Sequence, residues 1–137
     1  MRRIRSKDTG PELIVRRLVH SLGYRYRLHR ADLPGKPDLV FNRRRKVIFV
    51  HGCFWHQHSR CKITHVPRSN GDYWAPKLAR NKARDVRTRA KLRKLGWHYL
   101  IIWECETKDP DKLKDRLVSF LEQPRRETYF IRGKSRL

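Results

Sequence analysis

Acidic residues, cysteines and long apolar runs are all scarce in this chain of 137 residues. Thirteen Asp and Glu stand against 35 Lys and Arg, which gives a formal net charge of +22. Such an imbalance excludes an acidic or neutral surface and is most readily explained by a polyanionic partner, with DNA and RNA both open at this point. We therefore expect a nucleic-acid-binding protein.

The shortness of the apolar runs excludes a membrane-spanning helix. The longest runs, residues 47–50 and 99–103, fall well below the ~20 residues that cross a bilayer. No apolar segment follows the basic residues 1–5, so a secretory signal is not indicated, and we expect a reducing, cytoplasmic compartment. There, three cysteines favour a metal site over disulfides.

Apolar periodicity and turn residues predict the element order α-β-β-β-α-β-α, which indicates a mixed α/β sheet covered by helices. The first helix begins with a capping box from Thr9 to Glu12. It is expected to bury a wide stripe of Ile14, Leu18 and Leu22, flanked by Leu13, Val15 and Val19. Strands are predicted at 24–28, 38–41, 46–51 (central) and 99–103 (buried), and further helices at 76–95 and 110–121. We expect one domain over residues 1–122 and a basic tail over residues 123–137.

The long helix at 76–95 carries nine Lys or Arg and one acid, Asp85. Its expected apolar face consists of Leu78, Ala83, Val86, Ala90 and Leu95. The basic face should contact the phosphate backbone, and three of its side chains are the candidate contacts: Arg80, Arg84 and Arg87.

Cysteine and histidine cluster directly after the third predicted strand. Cys53, His58 and Cys61 lie close together in sequence, and Cys105 follows the fourth strand. Thiolate and imidazole are the ligands of a closed tetrahedral zinc site, which leaves no open position and is therefore structural. The alternative is buried thiols beside an unrelated histidine. Because one pattern uses every cysteine of the chain, we favour zinc.

Asp38 opens an apolar strand after a Gly-Lys-Pro turn, where a carboxylate either caps the turn or holds a hard cation such as Mg²⁺. If the second and third strands form a hairpin about residues 42–45, Asp38 approaches His51, with His56 just beyond. A carboxylate can hold the metal while a histidine takes a proton from water, so these residues could cleave a phosphodiester.

Aromatic residues are concentrated in the same irregular region. Phe54 and Trp55 follow the first candidate zinc ligand, and Trp74 precedes the basic helix. Large aromatics usually belong to the core, but rigid rings in a metal-held loop can also wedge between base pairs. We favour the wedge.

Three ordered strings, Leu33 to Val40, Phe49 to His56 and Ile102 to Cys105, resemble those of the very short patch repair (Vsr) DNA mismatch endonuclease family. The resemblance covers roughly residues 1–122. It implies a restriction-endonuclease-like fold and a monomeric, bacterial, nucleoid-associated enzyme. It also implies nicking of double-stranded DNA on the 5′ side of the thymine in T:G mismatches, which arise when 5-methylcytosine deaminates.

Site roles follow from the same resemblance. It implies that Asp38 binds catalytic Mg²⁺, that His56 activates water and that His51 assists at the phosphate. It further implies that Glu12 faces the metal through water, although a capping role for Glu12 stays open. The Zn²⁺ ligands would be Cys53, His58, Cys61 and Cys105, and the groups inserted into DNA would be Met1, Phe54, Trp55 and Trp74.

The third strand departs from related nucleases. Relatives of this fold usually place a second acid and a lysine there, whereas this chain has Val50, His51 and Gly52. A threonine often precedes the catalytic histidine in the family. Val50 can replace it if only its backbone carbonyl reaches the Mg²⁺. Histidine chemistry is then expected to substitute for the missing pair.

Overall fold

A computed structural model describes residues 9–59, 61 and 71–124 of the chain, and of Gly71 and Asp72 the backbone alone. Met1 and most of the expected basic tail lie outside these residues. Three helices and four strands follow one another in the predicted order, with a 3₁₀ turn over Glu104–Lys108. They are α1 (Gly10–Ser21), β1 (Arg27–Leu28), β2 (Leu39–Phe41), β3 (Lys46–His51), α2 (Gly71–Lys94), β4 (His98–Trp103) and α3 (Pro110–Glu122).

The four strands form one mixed sheet in the order β1-β2-β3-β4. β1 and β3 both run antiparallel to β2, and the hairpin pairs Leu39 with Ile48. β4 joins β3 in parallel after the α2 crossover, and its last pair is His51 with Trp103. β3 is therefore central, as predicted, whereas β4 is an edge strand of mostly half-buried residues and less buried than its apolar sequence suggested.

Alternating strand residues divide the core between the two faces of the sheet. One face packs on α1 and α3 through Val15, Val19, Leu39, Phe41, Ile48, Ile102, Leu113, Leu117 and Leu121. The other packs on α2 through Leu33, Val40, Val47, Phe49, Leu92 and Trp97. The expected mixed sheet flanked by helices is thus confirmed. No helix in the described part of the chain is long and apolar enough to cross a membrane.

α1 is rotated from the predicted orientation. Its buried residues are Glu12, Val15 and Val19, while Ile14 is 43% exposed. Glu12 is in phase with the two valines at helical spacing, so this rotation turns its carboxylate inward. Val15 and Val19, predicted as flanks of the buried stripe, are in fact its centre. Ile14 was wrongly placed there, and Glu12 was missed, because the prediction assigned the stripe to apolar residues alone.

α2 also differs from its prediction. It begins at Gly71 rather than at Pro76, which lies inside the helix and removes one backbone donor. Of the predicted apolar face, Leu78 is buried as expected, but Val86 and Leu95 are more than half exposed, and Leu92 is buried instead. The predicted face was therefore right only at its start. The inward row of α2 instead runs through Leu78, Asn81, Asp85, Thr88 and Leu92.

The first strand is shorter than the predicted span of residues 24–28. Tyr24 and Tyr26 pack against the core, but Leu28 is 38% exposed. The next residue, His29, has a left-handed backbone with φ of 49°, which ends the alternation of side chains.

Candidate active site

Sheet alternation directs the candidate residues towards α2. Asp38 lies two residues before Val40, and His51 lies two residues after Phe49 at the end of β3. Because strand side chains alternate, both point to the face of the sheet that α2 covers. A cavity of about 640 Å³ lies at this end of the sheet. Its lining includes Asp38, Val50, His51, His56, Asp85 and Arg89.

Asp38 is held at the mouth of β2 by backbone contacts. Its N–H donates to the carbonyl of Ile48 at 3.1 Å, and its Oδ2 accepts from the N–H of Val50 at 2.7 Å. Burial raises the pKa of Asp38 to about 6 although the Val50 bond opposes the shift, and the nearby Glu12 carboxylate raises it further. A cation bound beside Asp38 would stabilise the ionised form of this buried carboxylate.

Asp38 forms a cluster with one further carboxylate and one imidazole. Ligand atoms of Glu12, His29 and Asp38 all lie within 4.8 Å of one another. The Thr9 half of the capping box is present, since Thr9 Oγ1 accepts from the N–H of Glu12 at 3.3 Å. The Glu12 carboxylate contacts His29 Nε2 at 2.6 Å and Arg16 at 3.4 Å. Glu12 therefore takes part in the N-terminal cap through its backbone and faces His29 through its side chain.

The second cluster contains both candidate histidines. His51 and His56 stack with ring centroids 3.7 Å apart, and His56 Nδ1 lies 2.6 Å from Asp85 Oδ2. Burial and the neighbouring His56 lower the pKa of His51 to about 3, so His51 is neutral near physiological pH. No described residue supplies a hydrogen-bond partner for its buried Nδ1.

Burial alone would raise the pKa of Asp85, but the hydrogen bond from His56 and the charges of His56, His51 and Arg89 lower it overall. Asp85 is therefore an ionised partner that orients His56. Sequence reasoning did not assign it a role, although two signals were available. It is the single acid of the basic helix, and it lies seven residues from both Leu78 and Leu92. His29 and Arg89 were missed as well.

The Cys/His cluster forms a compact group where β3 and β4 end. Just beyond the last pair of β3 and β4, His51 with Trp103, the N–H of Cys105 donates to the sulfur of Cys53 at 3.4 Å. His58 Nδ1 lies 3.7 Å from the sulfur of Cys53 and 3.5 Å from that of Cys105, and Cys61 completes a set within 4.8 Å. In a tetrahedron around Zn²⁺ with bonds of about 2.1–2.3 Å, neighbouring ligands are about 3.4–3.8 Å apart, so the geometry fits zinc.

Electrostatics support the same fit. Burial, together with the neighbouring sulfurs of Cys105 and Cys61, raises the pKa of Cys53 to about 12. Burial also raises the pKa of Cys105. A divalent ion would supply the positive charge that lets such thiols ionise.

The three loop aromatics form their own cluster. Phe54, Trp55 and Trp74 have ring centroids 5.2–5.5 Å apart, all near edge-to-face. They are half-buried and belong to neither core cluster. Asn81 of α2 donates to the carbonyl of Trp55 at 3.1 Å and so fixes the loop to the helix. The rings are rigidly held and still partly accessible.

The predicted phosphate contacts lie on α2, where Arg80, Arg84 and Arg87 are all exposed. Arg84 also lines the cavity. The basic surface is thus continuous with the edge of the candidate active site.

Known proteins resemble most of this chain. A profile of the family described as "DNA mismatch endonuclease Vsr" matches residues 1–62. The "Type II nicking enzyme V.XorIIP" of Xanthomonas oryzae pv. oryzae is 53% identical over 122 residues, which is 89% of this chain and 89% of that protein.

Two further relatives show the same breadth. The "Type II nicking enzyme V.NmeAIP" of Neisseria meningitidis is 41% identical over 85% of this chain and 83% of its own length. The "DNA mismatch endonuclease Vsr" of Escherichia coli K12 is 40% identical over 87% of this chain and 76% of its own length. These alignments extend far past the part that the profile matches.

Proposed function

The chain belongs to the Vsr DNA mismatch endonuclease family, and from that premise we propose that it nicks one strand of double-stranded DNA. We propose as substrate a T:G mismatch left by deamination of 5-methylcytosine, and as product a cut on the 5′ side of the thymine. All groups that this reaction needs come from one chain, so a monomer suffices, acting on bacterial DNA in the cytoplasm.

One observation carries the proposal: a single cavity brings together Asp38, His51 and His56 with the guanidinium of Arg89. A carboxylate for a cation, an imidazole for a proton and a positive charge for the phosphate are the groups that phosphodiester hydrolysis requires. The basic face of α2 ends at this cavity, so bound DNA would present its backbone to these groups.

The groups around Asp38 fit Mg²⁺. Asp38 and Glu12 offer carboxylate oxygens, the hard ligands that this ion prefers. The N–H and C=O of one strand residue point to the same edge, and the Val50 N–H reaches Asp38, so the Val50 carbonyl faces that edge as well. When bound, Mg²⁺ would polarise the phosphate and make water more acidic.

His56 is suited to remove the proton of the attacking water. Asp85 accepts from Nδ1, which leaves the Nε2 lone pair free to take that proton, and the carboxylate stabilises the imidazolium that forms. The neutral His51 ring packs against His56 and can donate a hydrogen bond to a phosphate oxygen without carrying charge.

We further propose a structural Zn²⁺ held by Cys53, His58, Cys61 and Cys105, the set whose separations fit a tetrahedron. This set fixes the loop of Phe54 and Trp55 to the end of β4. Held there, the rings of Phe54, Trp55 and Trp74 are positioned to wedge beside the mismatch and unstack it. Met1, which lies outside the described residues, remains a proposed fourth inserting group.

The test uses one end-labelled duplex in two versions, with T:G or with C:G at the same position, each with and without Mg²⁺. We expect a single nick 5′ to the thymine of the T:G duplex and only when Mg²⁺ is present. Asp38→Ala should bind both duplexes and cut neither.

Other outcomes have definite meanings. Equal cutting of both duplexes would contradict mismatch recognition and leave a general nuclease. Binding without any cutting under either condition would leave a zinc-stabilised nucleic-acid-binding module.

A further inference from the structure

The left-handed backbone of His29 serves no step of the proposed reaction. A φ of 49° is uncommon for a residue other than glycine and persists where its surroundings fix it. Two contacts do so here. The N–H of His29 donates to the carbonyl of Asp38 at 3.3 Å, and Nε2 lies 2.6 Å from the Glu12 carboxylate. The imidazole is thereby turned from the sheet edge towards both carboxylates.

The three groups arrive from separate elements. Glu12 comes from the first turn of α1, His29 follows β1, and Asp38 precedes β2. Their ligand atoms lie within 4.8 Å of one another, and Glu12 is only 2% exposed. A carboxylate buried to this extent needs positive charge or donors nearby. Arg16 contributes from one direction, and the cavity side is lined by His29 and Asp38.

We propose that His29 is a nitrogen ligand of the divalent-metal site of Glu12 and Asp38, and that it favours transition metals such as Mn²⁺ and Co²⁺ over Mg²⁺. The inference rests on the proposed function for the location of the metal, and adds a ligand and a metal preference to it. Mg²⁺ is normally bound by oxygen alone, whereas imidazole is a good ligand for first-row transition metals.

The separations are close to those of a metal-bound set. Octahedral ligands at about 2.1–2.2 Å from an ion are about 3 Å apart along an edge. The 2.6 Å between His29 Nε2 and Glu12 therefore has to widen by only a few tenths of an ångström. Coordination uses the Nε2 lone pair, so the bound imidazole keeps its proton on Nδ1, and any proton shared between Nε2 and Glu12 leaves to solvent.

The decisive variant is His29→Asn. Asparagine tolerates a left-handed backbone and replaces the ring nitrogen with an amide oxygen, a ligand that suits Mg²⁺. His20→Asn is the matched control, since His20 is an exposed residue of α1 away from the cluster. Thermal melts confirm that each full-length chain is folded.

Pulsed electron paramagnetic resonance of bound Mn²⁺ detects a coordinated ¹⁴N nucleus directly. We expect nitrogen coupling in the unmodified chain and in His20→Asn, and its loss or clear reduction in His29→Asn. Competition between Mn²⁺ and Mg²⁺ should show the Mn²⁺ preference falling at least about 10-fold in His29→Asn. Unchanged nitrogen coupling in His29→Asn would overturn the proposed ligand, and an unchanged Mn²⁺ preference would overturn the proposed metal selectivity.

This readout separates two kinds of failure because it needs no DNA cleavage. If the chain nicks T:G duplexes but His29→Asn keeps the coupling, the His29 assignment alone fails. If the chain cuts no DNA but His29→Asn loses the coupling, the proposed endonuclease activity fails and the metal ligand stands.

Discussion

At the scale of single residues, the two stacked histidines have opposite environments. His51 is buried, and its lowered pKa keeps the ring neutral. His56 stacks on the more exposed side of His51 and contacts the ionised Asp85. Two imidazoles 3.7 Å apart cannot both carry a positive charge at low cost, and burial keeps His51 neutral. The role proposed for His56 as proton acceptor therefore depends on its contact with Asp85 as well as on the imidazole itself.

His56→Ala should lower the single-turnover nicking rate by about 10²-fold or more and flatten the rise of rate with pH near neutrality. Asp85→Asn keeps the His56 ring but removes the charge that orients it, so we expect a smaller loss in rate and a shifted pH profile. DNA affinity should change little in either variant. His20→Ala is the control for removing an exposed imidazole. A wild-type pH profile in His56→Ala would mean that another group accepts the proton.

Asp38 should lower stability at neutral pH when Mg²⁺ is absent. Its pKa rises on folding from 3.8 to about 6, so its contribution to stability is fully present below pH 3.8 and is lost as pH rises through 6. Asp38→Asn should therefore raise Tm relative to the unmodified chain at pH 8, and much less at pH 5, in Mg²⁺-free buffer.

Mg²⁺ supplies the complementary measurement. Added Mg²⁺ at pH 8 should raise the Tm of the unmodified chain and leave Asp38→Asn unaffected, because a ligand that binds only the folded state stabilises it. The exposed Asp115→Asn is the control for carboxylate removal. A Tm difference independent of pH would show that burial of the Asp38 charge is not its cause.

At the scale of elements, sequence patterns predicted the order of helices and strands well and the inward faces of α1 and α2 only in part. β3 was recognisable as central from its run of branched apolar residues, and the hairpin register follows from a short basic tip. For α1 and α2, periodicity was read from apolar residues alone. Both helices instead turn a carboxylate inward: Glu12 on α1 contacts His29, and Asp85 on α2 lines the cavity.

The same limit applies to the site. Asp38, His51 and His56 could be predicted because they lie in distinctive strings near the strand ends. His29 and Asp85 could not, because their roles depend on which distant residues they meet. His29 contacts Glu12 through a left-handed backbone that nothing in its immediate sequence requires. The Cys/His set could be predicted, since one pattern used every cysteine.

Gly35 links the Asp38 turn to α2. Its φ is 76°, and an added Cβ would lie 2.4 Å from Thr88 Cγ2 and 3.1 Å from Phe49. Gly35→Ala should destabilise the fold by roughly 1–3 kcal/mol and reduce nicking, because the turn that carries Asp38 must move away from the helix.

Two variants separate the causes of that loss. Gly35→Ala combined with Thr88→Ser removes the clashing methyl group and should recover the steric part, leaving the cost of the left-handed φ. Gly10→Ala is the control, because a Cβ there meets no atom within 4 Å. Denaturant unfolding gives all four stabilities, and an undiminished Gly35→Ala stability would show that the turn adapts freely.

Removing one zinc ligand should affect folding before chemistry. We expect about one Zn²⁺ per purified chain, and we expect Cys105→Ala to lose it and to melt several degrees lower, because a closed site couples metal binding to folding. Removing Zn²⁺ with a strong chelator and restoring it should lower and then recover Tm. Elemental analysis that finds well-folded chain without Zn²⁺ would contradict the assignment.

At the scale of the whole molecule, exposed basic side chains lie on both helix-covered faces of the sheet. α2 covers one face of the sheet and adjoins the cavity, while α3 covers the other. Both helices carry exposed lysine or arginine. If DNA lies along the cavity, only the charges of α2 can contact its backbone during cleavage, whereas those of α3 contribute to the general field.

Salt dependence of binding should distinguish these faces. The observed association constant falls with salt in proportion to the number of phosphates that the protein neutralises, with a slope of about −0.9 for each one. Replacing Arg80, Arg84 and Arg87 together with Gln should therefore reduce the slope of log K against log salt by about 2–3. Matched and T:G duplexes should weaken by similar factors, because phosphate contacts carry no sequence information.

The control replaces Lys108, Lys112 and Lys114 with Gln, three exposed residues on or beside α3. It removes the same charge, so a purely long-range effect would lower affinity equally in both triple variants. We expect the α3 variant to keep nearly the full slope, because its lysines lie across the sheet from the cavity. Fluorescence anisotropy at several salt concentrations measures both slopes. Equal slopes for the two variants would mean that DNA does not lie along α2, and the proposed path of the backbone into the cavity would be wrong.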